Sequence, residues 1–416
     1  MKKMITVALA ALMTGAVGFG VLAGCGNSDS EALSFWAYEP ASSADIAGLR
    51  ELIADFEEET GIVVNLNLVA KDNYNTSFNT SLVGSRKPDV AYLDQPLIAD
   101  FASDGTLAEL SSFYTQYGYA EDDFFAGAYD TVTYGDGVYG VPLTITSTVL
   151  FYNKEYVSED ELPASWEEWL ALGESRPSDV ALFDGIGNGG YMSWYFQAFL
   201  SNAGGYLMNE EGTEVTFNGE QGVTAAQMLR DMYNLSPATY RNATNSFGNG
   251  NSMFKLGSSS DIETIGDGFT IDFGVTTFPP QTEGGTSYSN IGGENLVILE
   301  SSSKKEEAMQ LINYLLQESN VKKIAEYTGN FAALKEYATV DADDPYAEMK
   351  QVVLTQLETA QARPSVAGWL YVNDNYLATA LESILAEGAE NISSSEIKGY
   401  LDTAAQQATT YIGSLR

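Results

Sequence analysis

Fifty-seven carboxylic side chains, 25 tyrosines, 19 phenylalanines and five tryptophans, with no histidine, bound the chemistry open to this 416-residue chain. Without histidine there is no Ser-His-Asp relay, no imidazole zinc site and no side chain that titrates near neutrality by default. Facing carboxylates alone could hydrolyse a glycosidic bond, but no pair is marked out by its setting. No glycine-rich loop ending in Lys-Ser or Lys-Thr is present to cradle a nucleotide. What stands out is a set of rings interleaved with hydrogen-bonding groups: Trp36, Tyr38 and Glu39; Asp94 and Gln95; Thr144 and Thr146; Asn188, Tyr191 and Trp194; Glu294 after Gly292-Gly293; and Trp369, Tyr371 and Asn373.

Such a set suits a neutral ligand with many hydroxyls. Rings cover flat C–H faces, and carboxylate, amide and hydroxyl groups bind the rim. A ligand lacking a matching hydroxyl would leave a polar group unpaired, which is costly. Cationic ligands such as polyamines would suit Glu39, Asp94 and Glu294. A peptide also stays open, whereas glycerol phosphate would want more Lys or Arg than these stretches hold. Each residue has a plainer role available. Trp36 could close a core, Tyr38 and Glu39 could form a solvated turn, and Asp94 could cap a helix. Thr144 and Thr146 could merely favour extended backbone. Tyr191 and Trp194 lie three apart on a helix, so one could be core. Glu294 could form a salt bridge, Trp369 could pack behind Arg363, and Arg363 reads as a structural partner of a carboxylate.

The elements that must hold these residues follow from apolar spacing. Leu33 to Ala37 predicts a strand. Ile46, Leu49, Ile53 and Phe56 predict a helix capped by Ser42 or Ser43 and stopped by Gly61. Ile62 to Val69 predicts a second strand, so the start is a β-α-β unit in a parallel sheet. A short buried strand follows at Val90 to Leu93. Tyr134-Gly135-Asp136-Gly137 carries turn chemistry for a hairpin. The run from Val138 to Tyr152 is extended and leads to a capping box at Ser165-Trp166-Glu167-Glu168. Further boxes are expected at Ser303 to Glu306 and Ser393 to Glu396. In open α/β sheets, ligands lie beyond the carboxyl ends of strands, and that rule selects the residues named above. The fold class is therefore α/β with two lobes and a hinge. The family resemblance described below implies more than one crossing between the lobes, and the sequence is compatible with crossings near 143–146, 278–284 and 332–340. This gives lobe 1 as 33–143 and 285–335, and lobe 2 as 144–284 and 336–416.

Two properties place the chain outside the cytoplasm. Lys2 and Lys3 precede the apolar Met4 to Val21, and the segment ends Leu22-Ala23-Gly24-Cys25, with the only cysteine of the chain. Residues 1–24 read as a lipoprotein leader, Cys25 as the lipidated residue and 25–32 as a tether. A lone cysteine also excludes an intrachain disulfide. The net charge of −37 repels nucleic acid and anionic lipid.

The order of these features resembles the extracellular solute-binding proteins of ABC importers, in the carbohydrate, maltose-binding-protein-like group. The points of resemblance are the leader, Ser34-Phe35-Trp36-Ala37, Phe56 to Ile62, Pro88-Asp89-Val90, Gly137 to Pro142, Tyr152-Asn153-Lys154, Ser165 to Glu168, Ile291-Gly292-Gly293 and Arg363-Pro364. The resemblance implies a two-lobed binding fold, no catalysis and no cofactor. It implies a carbohydrate ligand, an ABC permease as partner, a lipid anchor on the outer face of the cytoplasmic membrane, and a monomer. It also implies that an aromatic near Tyr191 or Trp194 faces the sugar. The chain departs from the group's maltose-binding member where Gly257-Ser258-Ser259-Ser260 and Leu93 stand near that relative's tryptophans, so maltose specificity does not carry over.

Overall fold

The computed structural model describes residues 32–84, 87–184, 190–209, 211–241, 243, 245–386 and 388–415. At 190 and 191 it describes the backbone only. Cys25, its leader and Asn188 lie outside the described residues. No helix among the described residues is long and apolar enough to cross a membrane.

The expected β-α-β unit is present. β1 (Leu33–Tyr38) and β2 (Val64–Val69) are parallel neighbours, with Leu33 opposite Val64 and Tyr38 opposite Val69. The helix Ser43–Thr60 joins them. Ser42 accepts from the Asp45 N–H at its start, and Gly61 ends it at φ 74°, a conformation that costs glycine little. β3 (Val90–Leu93) lies parallel to β1 on its other side and is buried throughout. The hairpin β4 (Thr133–Tyr134) and β5 (Gly137–Val138) turns at Gly135, φ 58°.

β6 (Val141–Ser147) and β7 (Val149–Asn153) form one nearly continuous buried run. The remaining strands are β8 (Ala181–Phe183), β9 (Ser252–Gly257), β10 (Phe273–Thr276), β11 (Ser289–Ile298), β12 (Phe331–Ala332) and β13 (Ala360–Gln361). The first sheet has the order β12-β6-β11-β3-β1-β2, with β13 beside β11, and the second has the order β10-β7-β9-β8. Each sheet organises one lobe.

Passage between the sheets comes later in the chain than the spacing predicts. β6 pairs with β11 up to Ser147 and with β12 at Thr144 and Ile145, so Thr144 and Thr146 sit inside the first sheet rather than in a free crossover. The chain changes sheet at Thr148. It returns at Ser289 and not at 278–284, because Phe278 is held in the second core. At the third passage, Val353, Leu357 and Ala360 still belong to the first cluster, and the chain reaches the second core at Val366 and Trp369. Pro142 lies within β6, opposite Asn295, where the register shifts between Glu294 and Asn295; a bulge tolerates a residue without an N–H.

Two cores meet across β7. Val149 and Phe151 point into a cluster that is continuous with the first sheet's core, in which Phe151 packs on Phe247 and Phe273, while Leu150 and Tyr152 point into a second core with Trp166, Trp169 and Phe199. This is the two-residue alternation of a strand buried on both faces. Capping follows the sequence at Ser165 and Ser393. The box expected at Ser303 to Glu306 is not made. That helix spans Lys305–Leu315 without a side-chain cap from Lys304, and Ser302 accepts from the Lys304 N–H instead.

Candidate functional site

The carboxyl ends of β1 and β3 bring Tyr38 and Asp94 to the flank of β11, where Glu294 stands opposite Thr144. Glu294 is buried. It accepts from Lys71 Nζ at 3.1 Å and is hydrogen-bonded to Tyr38. Lys71 opens the helix Lys71–Leu82, and its ammonium lies 5.2 Å from the centroid of the Tyr38 ring. Tyr74 and Tyr92 meet that ring edge-on, at 4.5 and 5.8 Å between centroids. Burial raises the Glu294 carboxyl above its ordinary range, and the Asp94 charge adds to this, while Lys71 and Arg363 oppose it. Burial, then the charges of Glu294 and Asp94, push the Tyr38 phenol well above its usual value, so it stays a donor.

Asp94 has two tasks. Its side chain caps the helix Gln95–Ser103 by accepting from the Gln95 N–H, and it pairs with Arg363 Nη2 at 2.8 Å. Gln95 completes the hold on Arg363. Its Oε1 accepts from both the backbone N–H and Nε of Arg363 at 3.1 Å, and its Nε2 donates to the Arg363 carbonyl at 2.5 Å. Gln95 is thus committed to the chain itself, which corrects its expected place as a ligand contact. The same segment is held from the second lobe. Gln197 Nε2 donates to the Ala362 carbonyl at 3.0 Å, and Ser201 Oγ donates to Gln361 Oε1 at 2.8 Å.

The second lobe brings Trp194 on the helix Gly190–Asn202. Its ring is half-buried and faces Gly292, where an added Cβ would lie 3.9 Å from it and 3.2 Å from the Thr146 methyl. Asn290 donates to the Trp194 carbonyl. Gly293, at φ 135°, has the Thr144 carbonyl 2.1 Å from where a Cβ would be, so the two strands approach this closely only because residue 293 is glycine. A small cavity beside them is lined by Gln95, Thr144, Ile145, Gly292, Gly293 and Asn295. Thr144 Oγ1 is buried with no partner among the described residues. Thr146 is occupied: its Oγ1 lies 2.8 Å from Ser259 Oγ and accepts from the Ser259 N–H at 3.1 Å.

The remaining expected residues are dispersed. Trp36 is half-buried against Tyr74, at 6.5 Å between centroids. Glu39 is exposed at the end of β1. Trp369 is 0% exposed within the second core, which removes it from the open face; the helix it begins presses that ring inward. Tyr371, 44% exposed, stacks at 4.5 Å on Tyr411 of the carboxy-terminal helix, and Asn373 donates to Asp374 at 2.7 Å. Only the backbone of Tyr191 is described. Lys71 was overlooked in the sequence although it follows β2 directly, at the strand end that the same rule selects; Tyr74 and Ser259 carried no such signal.

Comparison with known proteins agrees with this architecture. The model of the family described as bacterial extracellular solute-binding protein matches residues 40–322. The chain is similar to the galactooligosaccharide-binding protein of Bacillus subtilis (strain 168), 25% identical over 423 residues that cover 93% of each protein. It is 23% identical to the maltooligosaccharide ABC transporter solute-binding lipoprotein of Streptococcus pneumoniae (strain ATCC BAA-255 / R6), over 98% of this chain and 95% of that one. Its fold matches the crystal structure of the cyclic alpha-maltosyl-1,6-maltose binding protein from Arthrobacter globiformis with a TM-score of 0.78 and 21% identity, over 92% of this chain and 98% of that one. With two α/β lobes, polar groups converging at the strand ends between them, and a family match over most of its length, this chain belongs to the bacterial extracellular solute-binding proteins.

Proposed function

We propose that this protein is an extracytoplasmic receptor that captures an uncharged oligosaccharide between its lobes and delivers it to an ABC permease. The observation that carries this is the pairing of charges beside a ring. Lys71 with Glu294 and Arg363 with Asp94 form two ion pairs, the Lys71 ammonium lies 5.2 Å from the Tyr38 ring centroid, and Trp194 approaches Gly292, two residues before Glu294 on β11. The group has polar atoms for hydroxyls and a ring for a C–H face, with its two positive charges balanced by two negative ones. Relatives named for galactooligosaccharide and maltooligosaccharide support the ligand class. Hydrogen bonds from one lobe and stacking from the other are satisfied together only in the closed form, so ligand selects that form.

The first lobe comprises residues 33–147 and 289–334, and the second holds 149–288 and the chain from 366 onward. The leader and Cys25 supply a lipid anchor at the outer face of the cytoplasmic membrane, and the receptor acts as a monomer. Glycosidase action would need two carboxylates free to act as acid and base; Glu294 and Asp94 are each tied to a cation. A thermal-shift screen of the mature chain tests the proposal. A rise in melting temperature with neutral oligosaccharides supports it. A rise only with polyamines, peptides or glycerol phosphate overturns it.

A further inference from the structure

We infer that the end of the first lobe opposite the cleft docks on the phospholipid surface, through a groove beside the point where the tether joins the fold. This rests on the lipid anchor proposed above. Leu33 opens β1 at that end, and Tyr38 closes the strand at the cleft, roughly 17 Å away. Lys304 Nζ donates to the Ala32 carbonyl at 2.5 Å and pairs with Asp89 at 3.7 Å. Ser302 Oγ donates to the same carboxylate at 2.6 Å. Beside these contacts lies a groove of about 310 Å³ lined by Leu82, Lys87, Thr106, Leu299, Glu300 and Ser301. Its walls are joined by backbone bonds from the Leu299 N–H to Asp89 and from the Glu300 N–H to Thr106. The chain from Cys25 to Ala32 reaches at most about 25 Å, so a lipid on Cys25 holds this end of the lobe within reach of the bilayer.

Charge and polarity suit that neighbour. The chain carries −37 and is repelled by anionic lipid over most of its surface. At this end, among the described residues, Lys87, Lys304 and Lys305 are matched in number by Asp89, Asp104 and Glu300. Asp104 accepts from the Thr106 N–H at 2.9 Å, and Lys305 pairs with Glu300 at 2.9 Å. Lys87 is exposed at the groove and is the cation for a headgroup phosphate. Val83, which ends the helix Lys71–Leu82 next to the groove, is 90% exposed. A bilayer offers both partners, phosphates for the cation and an apolar layer beneath them. With this end on lipid, the direction of β1 turns the cleft toward the medium from which solute arrives.

The experiment uses the protein expressed with its leader, so that Cys25 carries lipid, and reconstituted into vesicles of phosphatidylglycerol and phosphatidylethanolamine. Cys25 is the only cysteine and its thiol is spent on the lipid, so Val83→Cys takes a polarity-sensitive dye alone. Glu39→Cys, exposed beyond the cleft end of β1, takes the same dye as the reference. Spin-labelled lipid should quench the dye at 83, and its emission should shift to the blue, while the dye at 39 behaves as in water. Lys87→Gln should lower the docked-to-undocked ratio, read from the quenching at 83, by about fivefold. Raising the salt to ~1 M should act in the same direction. Equal quenching at 83 and 39, or quenching at 83 that neither Lys87→Gln nor salt changes, overturns the inference. Burial of the dye at 83 in native membranes but not in pure lipid assigns the groove to a protein and overturns it as well. If the protein made with its leader stays in the aqueous phase, the anchor falls and this inference with it, while sugar binding by the mature chain is untouched.

Discussion

Lys71 Nζ and Glu294 Oε1 lie 3.1 Å apart although 223 residues separate them in the chain. One opens a helix after β2 and the other stands in the strand that returns from the second lobe. The pair therefore exists only once the first sheet is assembled, with β1, β3 and β11 in adjacent positions.

The pH dependence of stability should carry the mark of Glu294. Burial raises its carboxyl above the ordinary value of 4.5 in the folded protein, while the unfolded chain keeps the ordinary value. Below that value both states hold the proton, and the group's contribution is complete. As pH rises from there through the raised folded value, the unfolded state releases its proton first and folding loses stability. Glu294→Gln lacks this loss. Its melting temperature relative to wild type should climb as pH rises above the ordinary value of 4.5. A fall there would mean that Lys71 outweighs burial.

Gly293 tolerates no side chain. Its φ of 135° and the Thr144 carbonyl 2.1 Å from the Cβ position predict that Gly293→Ala costs about 2–4 kcal/mol in denaturant unfolding. Gly292→Ala meets only the Thr146 methyl and, at 3.9 Å, the Trp194 ring. It should cost less than about 1 kcal/mol of stability while weakening sugar binding.

Two tryptophans should respond in opposite ways. Trp194→Ala removes the ring beside Gly292 and should weaken oligosaccharide binding by about 5- to 10-fold, with little change in melting temperature. Trp369→Phe shrinks a side chain buried in the second core. It should cost roughly 1–3 kcal/mol of stability and leave affinity unchanged. Paired calorimetry and thermal unfolding of the two variants check this.

Arg363 ties the segment before Trp369 to the first lobe. Losing its charge-assisted bonds to Asp94 and Gln95 should cost about 2–3 kcal/mol. Arg363→Lys should recover only part of that, because an ammonium cannot reach both partners with a planar fork. Equilibrium unfolding of Arg363→Ala and Arg363→Lys gives both values.

Local signals were the legible ones. Ser42 and Gly61 announced the ends of the first long helix, because a hydroxyl cap and a left-handed glycine act within a few residues. Glu294 stood out in the sequence because two glycines precede it on a strand. The change of sheet at Thr148 was not, since β-branched residues suit either lobe equally and only the pairing of β6 with β11 and β12 holds it in the first. Trp369 was misjudged because a tryptophan after a proline turn looks the same whether its ring faces a core or a ligand. Lys71 was missed because its partner is distant in sequence. At Lys304, the expected serine cap lost to its neighbour Ser302, a choice between adjacent hydroxyls that composition does not decide.

A crystal structure of the mature chain grown with a galactooligosaccharide or a maltooligosaccharide tests the central claim most directly. The account predicts a sugar ring above Gly292, with the Trp194 indole against its C–H face and hydroxyls bonded to Lys71, Asp94 or Glu294. A sugar bound away from these residues, or lobes that show no ligand between them at saturating concentration, would contradict it.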